Sequence, residues 1–275
     1  MTWSERVVVR DGVRLVCRDW GGAGQPVLLL HGLAGHAGEW DVPARLLGHA
    51  APGSGPGRRV IAVDQRGHGS AERTPEDVSR AAYVADALAV VDQLGLERPV
   101  LVGQSLGGHT ALPAAAARPE GFRAAVLVEA GPGRADTGTP DGIGKWIDGW
   151  PVPFPSREAA AEFFGGGPLG EGWAAGLEER DGGWWPRFDR EVMVGAISEN
   201  ARRSFWDEWD AVRCPVLLVL GQSGFLPPEE PVEMLRRNPA ATAVSVPGTG
   251  HDLHLERPGV LHGLITGFLD GIEDG

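Results

Sequence analysis

The sequence predicts an α/β fold: a mostly parallel, doubly wound sheet with a helical cap inserted after the sixth strand. Short apolar runs alternate with segments of helical periodicity, as in folds with helices on both faces of a sheet. A Gly-x-Ser-x-Gly sequence, Gly103–Gly107, stands between such a run and a helix-forming stretch. The alternation stops within 132–209, which we assign to the cap, and 1–131 and 210–275 form the body.

The elements of the body follow from their patterns in chain order. Asp11-Gly12 lies between two strand-like runs and predicts a hairpin at one edge of the sheet. Continuous apolar runs predict buried strands at 26–30, 60–63, 99–102, 124–128, 215–220 and 243–246. Apolar residues at helical spacing predict helices at 83–94, 106–117, 229–237 and 258–269. The Gly-, Pro- and Ser-rich segment 51–57 predicts a loop.

Composition excludes several classes of partner. The 275 residues carry a formal net charge of −12 without a basic run, which disfavours nucleic acid and anionic membranes. No apolar run approaches the ~20 residues of a membrane span, and we expect a cytoplasmic protein, monomeric or homodimeric. Cys17 and Cys214 lack metal-ligand spacing. We expect both thiols to be reduced, and a single disulfide between them is the alternative. The eight histidines and the carboxylates predict no metal site.

Four motifs together resemble the α/β-hydrolase family over nearly the whole chain. Each follows a predicted strand, and they are Leu30–Leu33, Asp64–Gly69, Gly103–Gly107 and Gly248–His251. The resemblance implies that Ser105 is a nucleophile, activated by His251 as general base. It also implies that the backbone N–H groups of Leu33 and Leu106 bind the oxyanion.

The sequence departs from the family pattern at the triad acid. The family usually carries an aspartate in a Gly-x-x-Asp turn after the strand at 215–220, and here that position is Gly224. Glu129, directly after the strand at 124–128, is the best substitute, because some relatives place the acid there. There are three alternatives: Glu229 or Glu230 supplies the acid, the site works as a dyad without an acid, or the site has no activity. The hypothesis is Ser105–His251–Glu129.

The cap segment predicts an apolar pocket. It holds 12 of the 19 aromatic residues, and ligand sites use such side chains. The pocket candidates are His31, Trp146, Trp150, Phe163 and Trp184.

The resemblance implies a serine hydrolase that cleaves a small, largely apolar ester or lactone through an acyl-enzyme. Ser105 disfavours the relatives that attack with aspartate, which are the dehalogenases and epoxide hydrolases of this fold. The epoxide hydrolases also use cap tyrosines to protonate the oxirane, and the single tyrosine of this chain, Tyr83, lies outside the cap. A C–C bond hydrolase, an acyltransferase, a perhydrolase or a ligand-binding homologue without activity would share these residues. None of these functions requires a metal or an organic cofactor, and the partner is a small-molecule substrate.

Overall fold

The computed structural model describes residues 2–49 and 56–273, and its strands confirm the predicted α/β fold. The strands in chain order are β1 (Ser4–Arg10), β2 (Val13–Asp19), β3 (Gly24–Leu30), β4 (Arg58–Asp64), β5 (Val100–Gln104), β6 (Ala124–Val128), β7 (Glu178–Arg180), β8 (Gly183–Trp185), β9 (Val216–Gly221) and β10 (Thr242–Val246). Eight of them form one sheet in the order β1-β2-β4-β3-β5-β6-β9-β10, and β7 and β8 form a separate hairpin.

The main sheet is antiparallel at one edge and parallel elsewhere. β1 pairs antiparallel with β2, as the Asp11-Gly12 turn predicts, and β2 also pairs antiparallel with β4. From β4 to β10 every pair is parallel. The carboxyl ends of β3, β5, β6 and β9 therefore meet at one edge, where open α/β sheets bind their ligands.

The helices in chain order are α1 (Asp41–Gly48), α2 (Arg80–Gln93), α3 (Leu106–Ala117), α4 (Thr139–Asp148), α5 (Arg157–Phe163), α6 (Gly167–Ala174), α7 (Arg190–Arg202), α8 (Trp206–Ala211), α9 (Glu229–Arg237), α10 (Leu253–Glu256) and α11 (Pro258–Glu273). Helices outside the segment α4 to α7 pack on both faces of the main sheet. One apolar core contains Val90 of α2 and Leu112 of α3, and the other contains Leu47 of α1 and Ile265 of α11. Two cores on opposite faces are the signature of a doubly wound sheet.

Between β6 and β9 the chain forms helices α4 to α8 and the β7–β8 hairpin. Trp150 and Phe154 belong to a third apolar cluster, built mainly from this segment. In contrast, Phe205 and Trp209 pack into the core beside α3. The division of the chain into body and cap stays a prediction, and this packing favours a cap that ends with α7.

Two further features bear on the sequence predictions. Most of the predicted loop at 51–57 lies outside the described residues. None of the helices within residues 2–49 and 56–273 is long and apolar enough to cross a bilayer.

Candidate active site

Ser105 lies in a sharp turn between β5 and α3. Its φ of 49° is in the left-handed region, where a non-glycine residue is strained. The turn is held by two backbone hydrogen bonds of 2.9 Å, from the Ser105 N–H to the Val128 carbonyl and from the His109 N–H to the Ser105 carbonyl. A Cβ at Gly103 would lie 2.2 Å from the Gly107 carbonyl oxygen, so this close approach requires glycine.

The Glu129 carboxyl group is buried beside the same edge of the sheet. Glu129 follows β6 directly, has a φ of 51° and is 2% exposed. Its Oε1 accepts a 2.6 Å hydrogen bond from the Gly221 N–H, and its Oε2 accepts one of 2.9 Å from the Phe225 N–H. Both donors come from the β9 end and the loop that follows, so Glu129 reaches across to the neighbouring strand.

His251 lies against this carboxyl group. Its Nδ1 is 3.4 Å from Oε2 of Glu129, and the ring packs on Phe225 with 4.5 Å between centroids. The His251 carbonyl accepts a 3.0 Å hydrogen bond from Nε2 of Gln104. Since Nδ1 faces the carboxylate, Nε2 is the nitrogen left for proton exchange with a reacting group.

Gly224 explains how Glu129 fits there. A Cβ at Gly224 would lie 2.0 Å from Oε2 and 2.2 Å from Oε1 of Glu129. The carboxyl group therefore fills the volume in which a side chain at position 224 would begin. The two departures seen in the sequence, glycine at 224 and glutamate at 129, therefore depend on each other, because the Glu129 carboxyl group fits only where position 224 has no side chain.

Glu229 and Glu230 are not brought to His251. Oε1 of Glu230 instead accepts a 2.7 Å hydrogen bond from the Gly133 N–H, and burial raises the pKa of Glu230. Glu229 lies at the exposed start of α9.

Two backbone N–H groups near Ser105 have the features of oxyanion donors. Leu106 begins α3, where the N–H groups and the helix dipole favour negative charge, and Leu33 follows β3 and contacts the cavity described below. Among the hydrogen bonds of the described chain, neither N–H donates to a protein acceptor.

His31 and His68 order the loops after β3 and β4. Nδ1 of His31 lies 2.7 Å from the Gly32 carbonyl oxygen, and its Nε2 accepts a 3.0 Å hydrogen bond from the Gln65 N–H. Burial lowers the pKa of both imidazoles to about 3, so they are neutral at physiological pH. Asp64 binds the Ala37 and Ser70 N–H groups, at 2.6 and 2.9 Å. The motifs that contain these side chains support the loops.

Ser105 and His251 line one cavity of about 680 Å³ between the sheet edge and helices α4 to α7. No hydrogen bond joins their side chains within the described residues, and such bonds commonly tighten only with substrate bound. Aromatic and aliphatic side chains dominate the remaining wall. They are Leu33, Ile143, Trp146, Phe163, Phe164, Leu169, Trp173, Ile197 and Phe225.

The pocket prediction therefore needs correction at three positions. Trp146 and Phe163 line the cavity, whereas His31, Trp150 and Trp184 do not. His31 is fully buried beneath the loop after β3. Trp150 is 5% exposed and packs edge-to-face on Trp146, with 5.0 Å between the ring centroids. The backbone of Trp184 pairs with that of Phe154 in an isolated antiparallel β-bridge. Both tryptophans pack in the third apolar cluster.

Sequence reasoning missed Gln104 and Phe225 in the wall, and also its polar residues Glu39, Asp252 and Thr139. The first two had a signal, because Gln104 lies inside the Gly-x-Ser-x-Gly motif and Phe225 follows Gly224. Glu39 and Asp252 are isolated acids without a pattern. Within the described residues no group of three potential metal ligands is present.

The chain is similar to known proteins in sequence and in fold. Esterase Rv0045c of Mycobacterium tuberculosis is 30% identical over 267 residues, covering 91% of this chain and 85% of the relative. The sn-1-specific diacylglycerol lipase ABHD11 of Mus musculus is 29% identical over 262 residues, covering 88% and 80%. The crystal structure of E-2-(acetamidomethylene)succinate hydrolase superposes with a TM-score of 0.85 at 24% identity, covering 98% and 99%, which shows a shared fold.

A family model settles the classification. The model described as the alpha/beta hydrolase family matches residues 27–263, which contain the end of β3, all of β4 to β10 and all of the motifs discussed above. The chain belongs to the alpha/beta hydrolase family.

Proposed function

We propose that the protein is a serine hydrolase that cleaves a small, largely apolar carboxylic ester or lactone. The observation that carries the proposal is the contact between the buried Glu129 carboxyl group and Nδ1 of His251, at the wall of the cavity that Ser105 also lines. A carboxylate on one imidazole nitrogen and a serine hydroxyl near the other form the arrangement of a catalytic triad.

The chemistry follows from these positions. Nε2 of His251 takes the hydroxyl proton as Oγ of Ser105 attacks the substrate carbonyl carbon. Glu129 stabilises the imidazolium, and the N–H groups of Leu33 and Leu106 bind the oxyanion. The tetrahedral intermediate collapses, the alcohol leaves with the proton from His251, and an acyl group remains on Ser105. Water then repeats the sequence, which releases the acid and restores the serine.

The wall of the cavity supports an apolar substrate. Its volume of about 680 Å³ suits a small organic molecule, and aromatic rings from the cap face the reacting groups. Two relatives carry the names esterase and lipase, which fits cleavage of an ester bond.

The test is active-site labelling with a fluorophosphonate, combined with hydrolysis of p-nitrophenyl esters of increasing acyl length. We expect one labelled residue, Ser105, and loss of labelling in Ser105→Ala and His251→Ala. Ser245→Ala, at an exposed serine of β10, is the matched control and should label normally. Labelling that persists in Ser105→Ala, or no label and no hydrolysis across the panel, would contradict the proposal.

A further inference from the structure

The two backbone N–H groups proposed to bind the oxyanion come from separate elements. Leu33 lies in the loop after β3, and Leu106 begins α3. Both groups have to point at one oxygen atom, because a misplacement near 1 Å can cost about 10²-fold in rate. The fold therefore needs a link that fixes the Leu33 loop relative to α3.

The direction of the Leu33 N–H is set through the carbonyl group of Gly32. The two groups belong to one planar trans peptide unit, so they point in opposite directions. Nε2 of His31 accepts a 3.0 Å hydrogen bond from the Gln65 N–H, so the single proton of this neutral ring is on Nδ1. Nδ1 donates it to the Gly32 carbonyl oxygen at 2.7 Å. The Leu33 N–H is thereby directed away from the imidazole.

The Gln65 side chain connects this loop to α3. Its Nε2 donates a 2.7 Å hydrogen bond to the His31 carbonyl, and its Oε1 accepts one of 3.2 Å from Oγ1 of Thr110. The reverse orientation of the amide would turn Oε1 against the His31 carbonyl oxygen, so the orientation is fixed. Thr110 lies one turn after Leu106, and its Oγ1 is also 3.1 Å from the Leu106 carbonyl oxygen. Gln65 therefore spans the two elements that carry the donors.

Arg80 determines which way the Thr110 hydroxyl points. Nη1 of Arg80 donates a 3.1 Å hydrogen bond to Oγ1, and a guanidinium group cannot accept one in return. The single hydroxyl proton is therefore left for a neighbouring acceptor such as Oε1 of Gln65. Nη2 of Arg80 is held by α7, through hydrogen bonds of 3.0 Å to the Ala196 carbonyl and 2.9 Å to Oδ1 of Asn200.

All four side chains of this network are buried. Arg80 and Thr110 are each 1% exposed, and Gln65 and His31 are 4% and 0% exposed. Within the described residues, Oε1 of Gln65 accepts a hydrogen bond from Thr110 alone, and Nη1 of Arg80 donates to Thr110 alone. Removal of the Thr110 hydroxyl would leave two buried polar atoms without a partner, which is costly enough to rearrange the amide and the loop that it holds.

We propose that Gln65 and Thr110 are positioning residues of the oxyanion hole, which hold the Leu33 loop at a fixed place beside α3. This inference rests on the proposed function, because it concerns the oxyanion of the same reaction. Neither residue lines the cavity, so both act through other groups. The alternative is a network that only stabilises the fold, whose loss would lower the free energy of unfolding and leave the kinetics unchanged.

The test compares Thr110→Val, which keeps the shape of the side chain, with Thr110→Ser, which keeps the hydroxyl. The measurements are kcat and KM for a p-nitrophenyl ester and Ki for an alkyl trifluoromethyl ketone. Oγ of Ser105 adds to the ketone carbon as its proton passes to His251, and the former carbonyl oxygen of the hemiketal carries the negative charge. The adduct therefore reports oxyanion binding, whereas KM reports the bound ester.

We expect Thr110→Val to lower kcat and to raise Ki by a similar factor, about 10- to 10²-fold, with KM changed by less than about twofold. Thr110→Ser should return kcat and Ki to within about threefold of the parent values. Gln65→Met, which keeps the chain length without the amide, should match Thr110→Val. Thr266→Val is the control, because the Thr266 hydroxyl in α11 has no hydrogen-bond partner within the described chain.

Circular dichroism and thermal melting check that each variant is folded, and either Thr110→Val or Gln65→Met alone decides the outcome. The inference is overturned if a folded variant keeps its kcat, if KM rises as much as Ki, or if Thr110→Ser is as impaired as Thr110→Val. Unchanged kinetics in the variants of a parent protein that labels at Ser105 would reject this inference alone. A parent protein with neither label nor hydrolysis would reject the proposed function, and this inference with it.

Discussion

Two neighbouring loops at the catalytic edge, one after β6 and one after β9, differ in what they contribute. The loop after β6 supplies the Glu129 carboxylate, and the loop after β9 supplies backbone N–H groups and the empty volume at Gly224. The family resemblance implies the reverse distribution, with an acid in the second loop. Since the strands pair in register, Val128 with Val219, either loop can reach the same point beside His251. Glu129 thus occupies the volume in which an acid at position 224 would begin.

The sharpest way to break this comparison is to remove the charge from the first loop. Glu129→Gln keeps the shape of the side chain but no longer stabilises the imidazolium or fixes its tautomer. We expect kcat/KM for a p-nitrophenyl ester to fall by about 10⁴-fold, as for an Asp-to-Asn change in a serine protease triad. The neighbouring Glu230→Gln, whose carboxyl group binds Gly133, is the control and should retain most activity. Equal activity in the two variants would remove Glu129 from the triad.

The role of the second loop can be tested with a substitution that changes no charged residue. A methyl group at position 224 would lie 2.0 Å from Oε2 of Glu129 and must displace the carboxylate. We expect Gly224→Ala to lower kcat by about 10²-fold, the cost of a misplacement near 1 Å. Gly259→Ala is the matched control, because a Cβ there meets no atom within 4 Å. Normal kinetics in Gly224→Ala would show that the contact between the loops is looser than described.

The loops after β3 and β4 differ from the loops after β6 and β9 in the charge that they bury. The first pair buries neutral imidazoles, and the second pair buries the Glu129 carboxylate. His31 and His68 have a pKa of about 3 when folded and the ordinary 6.5 when unfolded. Between about pH 4.5 and 6 each takes up a proton on unfolding, so together they make stability rise with pH. Burial also lowers the pKa of His109 to about 3, so this histidine adds a third proton, and three protons correspond to about a thousandfold change in the unfolding constant per pH unit.

Urea unfolding followed by tryptophan fluorescence across this range measures the effect. Glu39 and His254 add almost no net proton uptake on unfolding in this pH range, because together they hold about one proton in both the folded and the unfolded state. His68→Asn, which cannot titrate, should reduce the proton uptake by about one. An unchanged pH slope in this variant would mean that His68 is already protonated in the folded protein.

The smallest expected effect concerns the aromatic wall of the cavity. Trp146 lines the cavity and Trp184 does not. We expect Trp146→Ala to raise KM for an apolar ester by about two- to tenfold, the size of one aromatic contact. Trp184→Ala should leave KM unchanged within about twofold. The opposite ranking, measured from initial rates, would place the substrate elsewhere.

The sequence predicted the framework well and the cavity wall poorly, for physical reasons. Strands buried on both faces leave continuous apolar runs, and the turn at Ser105 leaves its glycines, because backbone atoms approach too closely for a side chain. The short helix α1 leaves little periodic signal, because its eight residues make only about two turns and include Pro43 in the first of them. Trp150 and Trp146 have the same chemistry in sequence, and only the packing of the cap decides which one faces the cavity.

Moving the acid from one loop to the other tests the central claim most directly. Glu129→Ala frees the volume beside Gly224, and Gly224→Asp then offers a carboxylate from the second loop. Hydrolysis of one ester is measured for the parent protein, for Glu129→Ala and for the double variant. We predict that the single change abolishes nearly all activity and that the double variant regains at least about 10²-fold of it. Full activity in Glu129→Ala alone would contradict the assignment of a carboxylate to His251.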